Sequence, residues 1–196
     1  MSEAQATRLR AVLLDPREAA QMKVPGSVTA AVLAPLFERD GELHAVFTRR
    51  PAHLRLHAGQ ISFPGGRRDP DDVDLMQTAL REAQEEIGLD PATVLLVGAL
   101  APTPTVVSDI AVYPMVGLIP APQEPWRLAT EEVDAVIEAS LPQLASTHRL
   151  QVFERRDGTR VTTDAYSAGE DTIWGATARI LTELLVRLAA QPVLPS

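Results

Sequence analysis

Gly65-Gly66, a short acidic linker, and then Arg81-Glu82-Ala83-Gln84-Glu85-Glu86-Ile87-Gly88-Leu89 make up the stretch on which the reading of this chain turns. From Asp74 to Ile87 the apolar residues Met76, Ala79, Leu80, Ala83 and Ile87 recur at three- and four-residue spacing, which predicts a helix. Gly88 supplies its C-terminal stop. A helix advances about 100° per residue, so Glu85 and Glu86 fall on the face of Glu82, with Ala79, Leu80, Ala83 and Ile87 turned toward the opposite flank. Three carboxylates held together repel one another by roughly a few tenths of a kcal/mol per exposed pair, and by more when buried. Such a cluster does not favour the fold. A divalent cation resolves the conflict, because hard Mg²⁺ or Mn²⁺ prefers carboxylate oxygens. Arg81 is placed to orient one carboxylate, and the two glycines let backbone approach a metal or phosphate closely.

On both sides of this helix the chain reads as strands. Ser27–Leu36 and Leu43–Arg49 are rich in Val, Ala, Leu and Phe, and Asp40-Gly41 between them is a turn signal. His53 to Ser62 reads as loop or short strand, and Phe63-Pro64-Gly65-Gly66 as irregular chain. Thr93–Leu100 and Ile110–Ile119 are predicted strands, with Pro114 pointing to an edge strand or a bulge. Glu131–Leu150 is predicted to hold a short strand and a short helix. Arg149–Arg155 and Thr159–Thr163 form a hairpin around Asp157-Gly158, and Ala176–Ala190 is a second amphipathic helix. Strands flanking a central helix, with another helix at the C-terminus, predict an α/β fold in which helices flank a mixed sheet. The 196 residues suit one domain with short N- and C-terminal helical extensions.

Composition narrows the function. There is no cysteine, which removes disulfides, thiolate nucleophiles and cysteine-bound zinc. No apolar run reaches the roughly 18 residues of a spanning helix, and Met1–Arg10 lacks the apolar core of a signal peptide, so a cytoplasmic location with no membrane partner is expected. A net charge of −8 speaks against coating nucleic acid. The charge is uneven, however. Leu43–Arg68 contains no acid but carries Arg49, Arg50, Arg55, Arg67 and Arg68 with His44, His53 and His57. Directly after it come Asp69, Asp71, Asp72 and Asp74 and then the helix glutamates. A basic stretch beside an acidic one suits an anionic small-molecule substrate handled with a cationic cofactor.

The order of these residues resembles the Nudix box, G-x5-E-x7-R-E-U-x-E-E-x-G-U, where U is aliphatic. Arg81, Glu82, Glu85, Glu86 and Gly88 match its fixed positions, and Ala83 and Leu89 fill the U places. Its first half departs: the linker 67–80 is one residue longer than the pattern and holds no glutamate, so Asp71, Asp72 or Asp74 must substitute. Upstream, Phe47-Thr48-Arg49-Arg50-Pro51-Ala52-His53-Leu54-Arg55-Leu56-His57-Ala58-Gly59-Gln60-Ile61-Ser62-Phe63-Pro64-Gly65-Gly66 is similar to L-L-T-x-R-[SA]-x3-R-x3-G-x3-F-P-G-G, the signature of coenzyme A pyrophosphatases. Thr48, Arg50, Arg55, Gly59 and Phe63 to Gly66 are in register; Val46, Phe47 and Pro51 are departures. Ile173–Leu181 resembles the start of that subfamily's C-terminal helix.

The resemblance implies a Nudix-type α/β/α sandwich and hydrolysis of coenzyme A to 3′,5′-ADP and 4′-phosphopantetheine. It implies metal binding by Glu82, Glu86 and Glu85 with the Gly66 carbonyl, and substrate contacts from Arg50, Arg55, Gly65 and Arg67. The water-activating base is left open between Glu85, Glu131 and Glu132. Other nucleoside diphosphate derivatives, such as ADP-ribose or NADH, and a Nudix module that senses a nucleotide without cutting it, are the competing readings.

Overall fold

The computed structural model describes residues 3–53, 59–105, 108–154 and 158–190. Two helices, α1 (Glu3–Val12) and α2 (Pro16–Gln21), precede a hairpin of β1 (Val28–Arg39) and β2 (Glu42–Arg49). Short strands β3 (Ile61–Ser62) and β4 (Gly65–Arg67) lead into α3 (Leu75–Ile87). Then come β5 (Leu95–Ala99), β6 (Thr103–Pro104), β7 (Ile110–Leu118), β8 (Ala135–Ser140), α4 (Leu141–Ser146), β9 (Arg149–Glu154), β10 (Arg160–Ala168), β11 (Asp171–Trp174) and α5 (Gly175–Ala189).

The hairpin turn is the predicted one. Asp40 and Gly41 both take positive φ, 54° and 79°, as a two-residue turn matched to strand twist requires. The rest of the sheet grows around β1. On one side β7 runs parallel to it from Val28 to Leu36. On the other, β2 pairs with β1 only near the turn, at Leu36–Arg39. Farther along, the two strands part and the segment 61–67 fills the gap, β3 pairing with β2 and β4 with β1 at Ala30–Val32. The sheet is therefore mixed. Because β1 is central, its side chains are buried on both faces. Ala31, Leu33 and Phe37 meet Leu75, Ala79, Ala83 and Ile87 of α3 on one face. Ala34 and Leu36 share the other face with Leu9 of α1, Leu144 of α4 and Leu181 and Leu184 of α5. A three-stranded sheet, β11-β10-β9, adds Tyr166 and Ile173 to that second core.

Two expectations are corrected. Phe63–Gly66 is not wholly irregular, since Gly65–Arg67 forms β4. Glycine usually weakens a strand, but here it is required: a Cβ on Gly65, whose φ is +156°, would strike the Ala31 carbonyl and the Val32 Cα. Pro114 is not on an edge, because β7 lies between β1 and the β5/β6 side. Its carbonyl accepts from the Leu100 N–H at 3.0 Å, and its missing donor falls where β5 has ended and β6 has not begun. The irregularity sits in the partner, as a register shift between Leu96 and Gly98. The ambiguous region resolves into β8 and α4 as expected, while β10 runs on to Ala168 and β11 is additional. No helix among the described residues is long and apolar enough to cross a membrane.

Candidate active site

Both ends of α3 are fixed locally. The Asp74 carboxylate accepts from Gln77 N at 2.8 Å while the Gln77 side-chain oxygen accepts from Val73 N at 2.7 Å, a reciprocal cap. At the other end Gly88 turns left-handed, φ 71°, and returns its N–H to the Gln84 carbonyl. With Leu75, Ala79, Ala83 and Ile87 set against β1, the glutamates take three different environments. Glu86, one residue before Ile87, is only 5% exposed. The Glu82 side chain is 15% exposed and that of Glu85 59%. The expected narrow arc is thus a gradient from core to solvent, because Glu85 and Glu86 are consecutive and stand about 100° apart on the helix.

Glu82 and Glu86, four residues apart, look onto β4. Gly65 N–H donates to Glu86 Oε2 at 3.3 Å. Any Cβ on Gly66 would collide with the Glu82 carboxylate. The backbone of β4 therefore lies against the two carboxylates with no room for a side chain between them.

Arg81 holds the surroundings together. Its Nε and Nη2 grip both oxygens of Asp72 at 3.0 and 3.1 Å, Nη2 also reaches the Arg67 carbonyl at 3.1 Å, and Nη1 meets Glu82 Oε1 and Glu85 Oε2, each at 2.9 Å. Asp72 is buried and further accepts from Asp69 N and the buried Thr78 hydroxyl. Of the three aspartates that could replace the linker glutamate, Asp72 is the one tied to Arg81, whereas Asp74 caps α3. The guanidinium holds the Asp72 carboxyl far below the usual range, and Asp72 in turn raises Arg81.

Burial drives the acids of the α3 flank the other way. It raises Glu82 and pushes Glu86 up to about 8, with the Gly65 N–H and the charge of Arg50 opposing and Glu82 and Glu132 adding to the rise. Among the described residues these acids do not converge on one point, since Glu82 and Glu85 both lean on Arg81. The donor set nonetheless fits a hard divalent cation. Two desolvated carboxylates beside a glycine backbone, one of them with a single backbone N–H as its donor among the described residues, are stabilised as anions by positive charge.

These residues line a cavity of about 390 Å³: Gly65, Gly66 and Arg67 of β4, Glu82, Glu85 and Glu86 of α3, Arg50 at the end of β2, and Ala129 and Glu132 from a later turn. Nε of Arg50 is buried and without a hydrogen-bond partner among the described residues. Of the three candidate bases, Glu85 and Glu132 line the cavity and Glu131 does not. Arg55 and His57 lie outside the described residues, and His53 is exposed and off the cavity lining. Trp174 stacks on Phe153, ring centroids 4.5 Å apart, as expected of packing. A larger groove of about 770 Å³, lined by Arg8, Leu9, Glu42, Leu141 and Leu188 among others, opens on the opposite face. It contains no residue of α3 or β4.

The fold is thus a mixed sheet between helices, with paired carboxylates on one helix facing a glycine strand and an arginine. The NUDIX domain profile matches residues 28–160. A Nudix hydrolase of Salmonella paratyphi B, NudL, is 42% identical over 166 residues, 83% of this chain and 84% of that protein. In fold, a Nudix hydrolase from M. smegmatis, RenU, superposes with a TM-score of 0.54 at 16% identity, covering 86% of this chain and 91% of that one. A MutT/nudix family protein from Enterococcus faecalis gives 0.53 at 16%, covering 96% and 75%. The chain belongs to the Nudix family. It is accordingly a hydrolase of a nucleoside diphosphate derivative, and enzymes of this family generally use divalent ions such as Mg²⁺ or Mn²⁺.

Two stability outcomes follow. A Glu86 value raised from 4.5 to about 8 means that the stability associated with its neutral form is fully present below about pH 4.5 and is lost as the pH rises through about 8. In excess chelator, Glu86→Gln should therefore match wild type near pH 5 and melt several degrees higher near pH 9, a difference on the order of a few kcal/mol. Equal melting temperatures at about pH 9 would contradict this assignment. Asp72 acts with opposite sign: its contribution is fully present above its ordinary value of 3.8 and fades as the pH falls through the lowered one. Asp72→Ala leaves Arg81 without its main partner and should cost about 3–5 kcal/mol in urea unfolding at neutral pH; a loss under about 1 kcal/mol would show that the pair does not hold the linker.

Proposed function

We propose that this Nudix hydrolase cleaves the pyrophosphate of coenzyme A, giving 3′,5′-ADP and 4′-phosphopantetheine. The observation that carries the reading is Arg50. It belongs to the upstream segment similar to the coenzyme A pyrophosphatase signature, and it lines the same cavity as Glu82 and Glu86 with a buried Nε that has no partner among the described residues. A buried donor calls for an acceptor, and a phosphate oxygen suits a guanidinium.

Glu82 and Glu86 would hold a divalent cation, with Glu85 and the Gly66 carbonyl beside them. When bound, the cation neutralises charge on the diphosphate and lowers the barrier to attack by water. The chain supplies the positioning. Gly65 and Gly66 keep the wall of the cavity free of side chains, so a diphosphate can lie close to the carboxylates. Arg50 and Arg67 border that space with positive charge. Asp72, through Arg81, fixes the Arg67 carbonyl and the Glu82 side chain from behind. Arg55, outside the described residues, is a second candidate for the phosphates.

Incubation with coenzyme A and Mg²⁺ or Mn²⁺, followed by mass spectrometry, should yield 3′,5′-ADP and 4′-phosphopantetheine, with ¹⁸O from labelled water in only one of them. Dephospho-CoA as product, or inert coenzyme A beside consumed ADP-ribose, would refute the substrate. Arg50→Ala should lower kcat/KM about tenfold or more, the worth of a charge-assisted bond of roughly 1.5–3 kcal/mol. If Arg50 holds the 3′-phosphate the loss will be larger for coenzyme A than for dephospho-CoA; if it holds the pyrophosphate both will fall alike. A lower melting temperature with unchanged kcat/KM on both substrates would instead mark Arg50 as structural.

A further inference from the structure

Arg49 and Arg50 are neighbours in sequence, but the structure treats them in opposite ways. Arg50 lines the cavity, and its buried Nε has no partner among the described residues. Arg49 is not part of the cavity lining and is held by two carboxylates. Its Nε donates to Asp134 Oδ2 at 3.1 Å, and its Nη1 reaches both oxygens of Asp171 at 3.3 Å. Two acids offset the charge of Arg49, which leaves Arg50 as the member of the pair whose charge faces a ligand.

The two acids come from distant pieces of chain. Asp134 closes the turn that brings Ala129 and Glu132 to the cavity wall, just before β8. That turn is pinned to α3 by the Ala129 N–H on the Glu86 carbonyl at 3.0 Å, and to β2 by the Asp134 N–H on the Arg49 carbonyl at 2.8 Å. Asp171 opens β11 in the three-stranded sheet, whose Tyr166 and Ile173 belong to the core on the other side of the main sheet from α3. Arg49 also stands in two ladders at once, opposite Ile61 of β3 and Ala135 of β8. Directly after it, Arg50 N–H donates to the Gln60 carbonyl at 3.0 Å and the Arg50 carbonyl accepts from Gly59 N at 3.1 Å. The strand end that carries Arg50 is therefore joined through the Arg49 side chain to one cavity wall and to the second sheet.

We propose that Arg49 is a positioning residue: clamped between Asp134 and Asp171, it fixes the end of β2 so that Arg50 is aimed at the phosphates of the substrate. This rests on the reading of Arg50 as the phosphate-binding arginine of the cavity. A planar guanidinium suits the task because its fork reaches two acids at once, whereas an ammonium is a single point of charge. Displacing a binding group by about 1 Å can cost on the order of a hundredfold in rate, so a small swing of the strand end is enough to be read in kcat/KM.

The test is a double-mutant cycle between Arg49→Gln and Arg50→Ala in the full chain, with kcat/KM measured on coenzyme A and on ADP-ribose. Arg49→Gln should lower kcat/KM about tenfold, and Arg49→Lys, which keeps the charge, should lose less. Asp171→Asn leaves both arginines in place and should lower it about threefold or more. Once Arg50 is Ala, adding Arg49→Gln should change kcat/KM by less than about twofold, because no side chain remains to be aimed. Losses that multiply in the double variant overturn the positioning role, as does an Arg49→Gln protein that melts lower yet hydrolyses like wild type. If Arg49→Gln does not fold, the same cycle is run with Asp171→Asn and judged by the same outcomes. Unchanged kcat/KM in Arg50→Ala sinks this proposal together with the reading of Arg50, while multiplying losses sink the positioning role alone. If wild type cuts only ADP-ribose, the choice of coenzyme A fails and the cycle is judged on ADP-ribose; if wild type cuts neither, both fail.

Discussion

The interaction on which the site depends is the buried grip of Arg81 on Asp72. One guanidinium meets five oxygens of four acceptor groups, which belong to pieces of chain that must be brought together: the linker through Asp72, β4 through the Arg67 carbonyl, and the helix face through Glu82 and Glu85. A planar fork is suited to this because its donors are fixed relative to one another. Thr78 and the Asp69 N–H complete the coordination of Asp72, so the buried carboxylate is fully hydrogen-bonded. The long linker between Gly66 and Arg81 is thereby tied at its middle. Its additional residue relative to the Nudix pattern is absorbed without moving the glycines away from the helix.

From that anchor the chemistry of the neighbouring acids follows. Glu86 is forced into a nearly dry position by the packing of Ala83 and Ile87 on β1, and burial raises it toward neutrality. A protein gains nothing in stability from such a carboxylate. Its position makes sense where positive charge arrives with the ligand. The same cavity carries the opposite imbalance in Arg50, a buried donor without a described acceptor. An anion and a cation that bind together would satisfy both, which is the arrangement that hydrolysis of a charged diphosphate demands.

The fold serves this by a detail of the sheet. If β1 and β2 paired along their full length, nothing would lie between them. They part instead, and the gap admits the segment 61–67, which carries Gly65 and Gly66 beneath α3. Gly65 is needed there both for its φ of +156° and because a Cβ would strike the backbone of β1, while a Cβ on Gly66 would meet the Glu82 carboxylate.

Local spacing alone determined α3, its Asp74 and Gly88 ends, the Asp40-Gly41 hairpin and the order of box residues, because helix periodicity, caps and two-residue turns depend on neighbours within about four positions. The Nudix family was legible for the same reason. Which linker aspartate Arg81 would hold was not legible, nor that Glu86 would be buried while Glu85 faced solvent, nor that Pro114 would sit inside the sheet opposite a break in its partner. Only the tertiary structure decided these, and it alone placed Glu132, more than forty residues downstream of Glu86, on the wall of the same cavity. Contacts between distant segments depend on how β1 packs α3 and where β2 diverges. No pattern of adjacent residues encodes that geometry.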